Sequence, residues 1–206
     1  MTDIGATQPL TFDVPYPDRQ LNRVSTGFRI FAVIPIGIVL AALGGGIGWG
    51  PAYGVGAGGI VFIPPLLMIV FRQKYPRWWF DWNRELMRFS NRVGAYLLLL
   101  DDRYPSTDEH QYVHLDLPYP DAANDLNRWL PLVKWFLAIP HYVALIVLDV
   151  GVVLAVIVAW FAILFTGRYP RGIFDYVVGV MRWSNRVAAY AFVLVTDEYP
   201  RFGLRP

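Results

Sequence analysis

"MRFSNRVGAY" (87–96) returns as "MRWSNRVAAY" (181–190), each copy setting two arginines four residues apart in an otherwise apolar stretch. The echo extends outward from there. "FDVPYPD" (12–18) matches "LDLPYPD" (115–121), and "LNR" (21–23) matches "LNR" (126–128). "IP" (34–35) matches "IP" (139–140), "YPR" (75–77) matches "YPR" (169–171), and "DRYP" (102–105) answers "DEYP" (197–200). Blocks kept in one order at a nearly constant offset indicate a tandem duplication, which sets the architecture before any single element is read. The expected organisation is a tail (1–11), a first repeat (12–105), a linker (106–114), a second repeat (115–201) and a short tail (202–206).

Composition places the chain in a membrane. Of its 206 residues 55% are hydrophobic and only 17% charged, against about 25% charged in soluble domains. A net charge of +2 gives no basis for nucleic-acid binding, and the absence of cysteine excludes disulfides and thiolate chemistry. Phe31–Phe71 contains no charged residue, and Trp135–Thr166 contains only Asp149. A span needs about 20 apolar residues. The runs therefore predict four transmembrane helices in two hairpins, at about 28–47 and 54–72, then 130–148 and 151–167. All 18 Lys and Arg fall in 1–30, 72–103, 128–134 or 168–205, on one side of these hairpins. By the positive-inside rule both termini are expected in the cytoplasm. The first 27 residues lack the order of a cleavable signal peptide.

The doubled segment reads as an amphipathic helix at about 77–95 and again at 171–190. Asp175, Gly179, Arg182 and Arg186 share one stripe, repeated as Asp81, Glu85, Arg88 and Arg92. Acid early and base late complements the helix dipole. Trp78, Trp79, Trp82 and Trp183 suit the headgroup level, so both helices are expected to lie in the membrane interface. Two arginines four apart repel unless an acceptor stands between them. Asp81, Glu85 and Asp175 supply ion pairs along the stripe, but Gly179 replaces the glutamate in the second copy. Arg182 and Arg186 therefore need acids of the chain itself, lipid phosphate or a partner. Arg88, Arg92, Arg182, Arg186 and Trp183 become the candidate headgroup or partner contacts. "LTFDV" and "YVHLDL" read as strands of a small cytoplasmic sheet, while Tyr96–Leu100 and Ala191–Val195 fit strands or helix ends.

A search for chemistry finds little. His110 and His114 lie in a polar extended segment, and no metal or cofactor site is expected. His141 and Asp149 are the polar residues of the apolar runs, the first expected as a buried histidine and the second as a helix cap at a turn beside Gly151. The Gly-rich "GGGIGWGPAYGVGAGG" (44–59) lacks the βαβ context of a phosphate loop, and Gly54 and Gly58 instead suit close helix packing.

"LNRWLPLVKWFLAIPHYVALIVL" followed by "TGRYPRGIFDYVVGVMRWSNRVAAYAFVLVTDEYP" resembles the bacterial membrane proteins of domain-of-unknown-function family 4389. Arg168, Tyr169, Pro170, Arg171, Phe174, Asp175, Arg182, Trp183, Arg186 and Tyr190 carry the likeness. The first copy departs from it: Ile36 follows Pro35 where His141 follows Pro140, and Glu85 stands for Gly179. The resemblance implies a bacterial inner-membrane location and no activity.

The expected fold is thus a mainly α membrane protein of two repeats, each a transmembrane hairpin with an interfacial helix, plus a small cytoplasmic β element. The expected role is a non-catalytic scaffold or accessory subunit of a membrane complex, with membrane lipids and a protein as partners. A small transporter or channel and a lipid-handling protein are the alternatives.

Overall fold

The computed structural model describes residues 10–44, 62–106 and 112–205. Gly54, Gly58 and His110 lie outside them, as does most of the glycine-rich segment. The described elements are β1 (Thr11–Asp13), α1 (Arg23–Gly44), α2 (Ile63–Arg72), α3 (Arg77–Leu97), β2 (His114–Asp116), α4 (Pro131–Leu137), α5 (Ile139–Thr166) and α6 (Arg171–Ala188). A π-helical turn, Ala189–Val193, extends α6.

Local sequence sets the boundaries. The Asn22 side-chain carbonyl accepts from the amides of Val24 and Ser25 and so starts α1. Pro76 and Pro170, both extended, stand immediately before α3 and α6, where a missing amide hydrogen and a fixed φ cost the helix nothing. Gly167 ends α5 with φ of 73°, and Gln73 ends α2 in the same left-handed region at 47°. The two segments that fitted strand or helix end are helix ends. Leu99 at φ 67° turns the chain out of α3, and Leu194 at φ 61° turns it out of the π-helical turn.

The second apolar run departs from expectation. α5 is one helix of 28 residues that passes through Leu148–Gly151 without a break, so the separate spans at 130–148 and 151–167 and the turn at Asp149 are not formed. One isolated glycine costs a helix only about 1 kcal/mol, and 141–166 contains no proline. The Tyr176 hydroxyl also donates to the Leu148 carbonyl at 2.8 Å, holding the helix against α6 where the turn was expected. The break falls earlier, at Ala138, between α4 and α5. Among the described residues two helices, Arg23–Leu43 and Ile139–Thr166, are long and apolar enough to cross a membrane.

The elements stack in three layers. α1 runs antiparallel to α3, with Leu40 against Leu86, Phe89 and Val93 at one end and Arg29 bonded to the Tyr96 carbonyl at the other. α5 pairs with α6 in the same sense, from Trp183–His141 through Tyr176–Leu148 to the turn at Gly167. On the far side of α3 and α6 lies the two-stranded sheet. It is antiparallel, with Thr11 opposite Asp116, Phe12 opposite Leu115 and Asp13 opposite His114. The main core sits between α6 and its neighbours, around Val177, Val180, Met181 and Leu194.

Candidate functional site

The conspicuous sequence feature, the repeated arginine pair, sits at the middle of this stack. α3 and α6 cross where Asn91 and Asn185 exchange amide hydrogen bonds of 2.8 and 2.7 Å, both side chains fully buried. Each amide also donates to its own helix, at Met87 and Met181. A reciprocal pair of this kind fixes the crossing because sliding either helix leaves a buried amide without a partner.

Around that crossing each arginine finds an acceptor inside the chain. Arg182 Nε donates to the Phe12 carbonyl at 3.0 Å, and its NH2 faces Asp13 at 3.4 Å. Arg88 Nε donates to the Leu115 carbonyl at 2.8 Å, and its NH2 faces Asp116 at 3.4 Å. Arg92 donates to the Ser106 carbonyl at 2.8 Å, and Arg186 donates to the Gly203 carbonyl. Arg92 and Arg186 are 8% and 7% exposed, and Trp183 is buried with its indole N–H on His141. Of the residues expected to meet headgroups or a partner, Arg92, Arg186 and Trp183 are therefore buried, while Arg88 and Arg182 keep side chains 24% and 15% exposed. Burial lowers the affinity of Arg186 for its proton, with the charges of Arg182 and Arg201 acting in the same direction.

The two neighbourhoods differ at one position. On α3, Glu85 pairs with Arg88 at 2.8 Å, and Arg84 bridges Asp81 and Glu85 at 3.2 and 3.3 Å. On α6, Gly179 opens a seat for the C-terminal tail, and a Cβ there would lie 2.8 Å from the Cβ of Leu204. The tail enters that seat, and the Leu204 carbonyl accepts from Arg182 at 3.2 Å. The acceptor sought for the second pair is thus the protein's own backbone. Asp175 stays exposed at the start of the stripe. A cavity of about 270 Å³ lies beside the first pair, lined by Thr11, Arg88, Arg92, Val113, His114, Leu115 and Asp116.

Other contacts also occur in corresponding pairs. Tyr16 donates to the Tyr169 carbonyl and Tyr119 to the Tyr75 carbonyl. Tyr75 donates to the Val193 carbonyl at 2.9 Å, and Tyr169 to the Leu98 carbonyl at 3.3 Å. Arg77 lies over the Tyr119 ring at 5.1 Å, and Arg171 over Tyr16 at 4.9 Å. Burial pushes the hydroxyls of Tyr75 and Tyr169 up from their ordinary values. Near the ends of the layer, Lys134 pairs with Asp197 at 2.7 Å, while Arg19 bridges Asp101 and Asp102. Burial also raises Asp101, against the pull of Arg19.

His141 is fully buried, stacked on Phe202 at 4.0 Å, with its Nδ1 accepting from Trp183 at 3.0 Å. A satisfied buried histidine was expected; the ring is packed and its Nδ1 paired, but the buried Nε2 has no hydrogen-bond partner among the described residues. Asp149 lies mid-helix in α5, not at a cap. Among the described residues no three His, Cys, Asp or Glu gather as metal ligands. Sequence reasoning missed Arg29, Lys134 and the asparagine pair. The asparagines lay inside the quoted repeat, where a polar side chain at the same place in both copies was the available signal.

Residues 129–203 match the family model described as "Domain of unknown function (DUF4389)". No curated protein and no solved structure matches the chain.

Proposed function

We propose that the chain, carrying this family's domain in its second half, is a non-catalytic scaffold or accessory subunit of a bacterial inner-membrane complex. One observation carries the reading. α1 and α5 show water an almost unbroken apolar surface, from Phe28, Phe31 and Ile38 to Val147, Leu154 and Phe165, while charged residues collect on the opposite layer. Single exposed apolar residues are ordinary, but a contiguous face of this size marks a membrane or partner contact. The arginine pairs serve as internal struts of the platform. The docking surface is the polar layer above them, formed by β1, β2 and the C-terminal tail, with the termini on the cytoplasmic side.

The same proposal includes a tandem duplication. The paired contacts support it: Asn91 with Asn185, Arg182 on Phe12 as Arg88 on Leu115, and Tyr16 on Tyr169 as Tyr119 on Tyr75. Each follows the offset between the repeated sequence blocks.

Native-membrane purification in mild detergent, followed by mass spectrometry, tests the role. A protein retained in fixed stoichiometry through the detergent step is the expected result. A partner-free monomer that moves solute across liposome membranes would sink the scaffold reading in favour of a carrier. Loss of the chain from membranes on alkaline carbonate washing would remove the membrane assignment itself.

A further inference from the structure

We infer that α5 and α1 lie in the plane of one membrane leaflet, as a monotopic apolar raft beneath the polar platform, rather than crossing the bilayer. The inference rests on the membrane reading above and specifies its geometry.

The buried residues of α5 are His141, Leu145, Val152, Ala159 and Ile163. At about 100° per residue they fall within about 40° of the helix circumference. Val143, Ile146, Val150, Leu154, Ile157, Phe161 and Phe165 are exposed on the opposite side. The exposed face runs the whole helix, and 28 residues rise about 42 Å. α6 covers the buried stripe from His141 to Gly167, so the two helices share one direction in space.

What covers α6 in turn decides the orientation. Arg171 meets Tyr16, Phe174 meets the same ring at 5.0 Å, Gly179 meets Leu204, Arg182 meets Phe12 and Asp13, and Arg186 meets Gly203. These contacts extend over about 22 Å of helix axis. The covering layer is polar: the side chains of Asp13 and Asp116 are 70% and 76% exposed. Exposed carboxylates are not accommodated in hydrocarbon, where a charge loses its hydration. A bilayer core about 30 Å thick placed across α5 would engulf much of that layer.

In the flat orientation the conflict disappears. Apolar side chains enter the leaflet, the polar layer stays in water, and Asp149 sits at the boundary instead of the bilayer centre, where a charged side chain is disfavoured. The perimeter fits as well. Trp78, Trp129 and Trp135 are 68%, 63% and 50% exposed, and Arg23, Arg128, Arg168 and Arg171 are exposed near helix ends. Indole rings and cations at the edge of an apolar face are what the headgroup region of an anionic leaflet accommodates.

The chain has no native cysteine, so four single-cysteine variants of the full protein, Val143→Cys, Val150→Cys, Ile157→Cys and Phe165→Cys, take an environment-sensitive fluorophore without interference. Each is reconstituted in phosphatidylcholine–phosphatidylglycerol vesicles carrying lipids brominated at shallow or deep acyl positions. The expected result is one common depth, about 5–10 Å below the headgroups, at all four sites. A profile deepest at Val150 and Ile157 and shallow at both ends, differing by about 15 Å, would overturn the in-plane orientation and leave the membrane reading standing. Absence of quenching at every site would overturn both and assign the face to a protein partner.

Discussion

The arginine pairs of α3 and α6 have nearly the same sequence and different closures. On α3 a glutamate one turn back pairs with Arg88, and a strand from the other half supplies a carbonyl. On α6 the glutamate is a glycine, and the vacated space admits the chain's own C-terminal tail. The difference teaches that one side chain decides whether a helix surface is sealed by a charge or by a backbone. All four arginines have acceptors within the chain, and the first pair also borders the cavity beside β2.

The largest effect is expected where the halves differ most in redundancy. Lys134 is fully buried and pairs with Asp197, whereas Asp101 and Asp102 share Arg19. Lys134→Met should cost roughly 3 kcal/mol, the lower end for breaking a buried pair, read as a lowered thermal midpoint in detergent. Arg19→Met, with its side chain 45% exposed, should move the midpoint far less, within about 1 kcal/mol. Equal shifts would show that the halves are equally braced.

Next comes the crossing that the halves share. Asn185→Leu leaves the buried Asn91 amide without its cross-helix partner and should cost about 1–3 kcal/mol. Leucine at both positions should recover part of that loss, since two apolar groups strand no donor. A double variant as unstable as the sum of the singles would break the claim that the pair acts as a unit.

Gly179→Glu writes the α3 residue into α6 and tests the comparison directly. The tail should leave its seat at a cost of about 1–3 kcal/mol, detected as rapid proteolysis after Arg201 with the helical signal kept. A tail that stays protected would show that Gly179 does not gate it. The converse change, Glu85→Ala, removes a half-exposed ion pair and should shift stability by no more than about 0.5 kcal/mol in the same melt.

Much of the architecture was legible because amphipathic segments carry their own ruler. Asp175, Arg182 and Arg186 recur at helical spacing, so α3 and α6 could be placed within a few residues, and the alternating "LTFDV" and "YVHLDL" gave β1 and β2. The apolar runs lacked such a ruler. A helix hydrophobic on every side shows no face, and the length of the run together with Asp149 and Gly151 suggested a turn where α5 continues. The partners of the arginines were hidden for another reason. All four principal acceptors, at Phe12, Leu115, Gly203 and Ser106, are main-chain carbonyls, and side chains at those positions give no sign of the role. Asp13 and Asp116 were visible as matched letters, but only the swapped register of β1 and β2 brings each to the other half's helix.

That swap orders events in time. Arg182 reaches the Phe12 carbonyl across 170 residues of chain, and Tyr16 reaches Tyr169 across 153. A nascent chain halted after its first half therefore holds strand β1, Tyr16 and the pocket for Tyr169 with nothing to close them. Contacts of such long sequence separation form late. The first half stays unclosed until the ribosome has delivered α6.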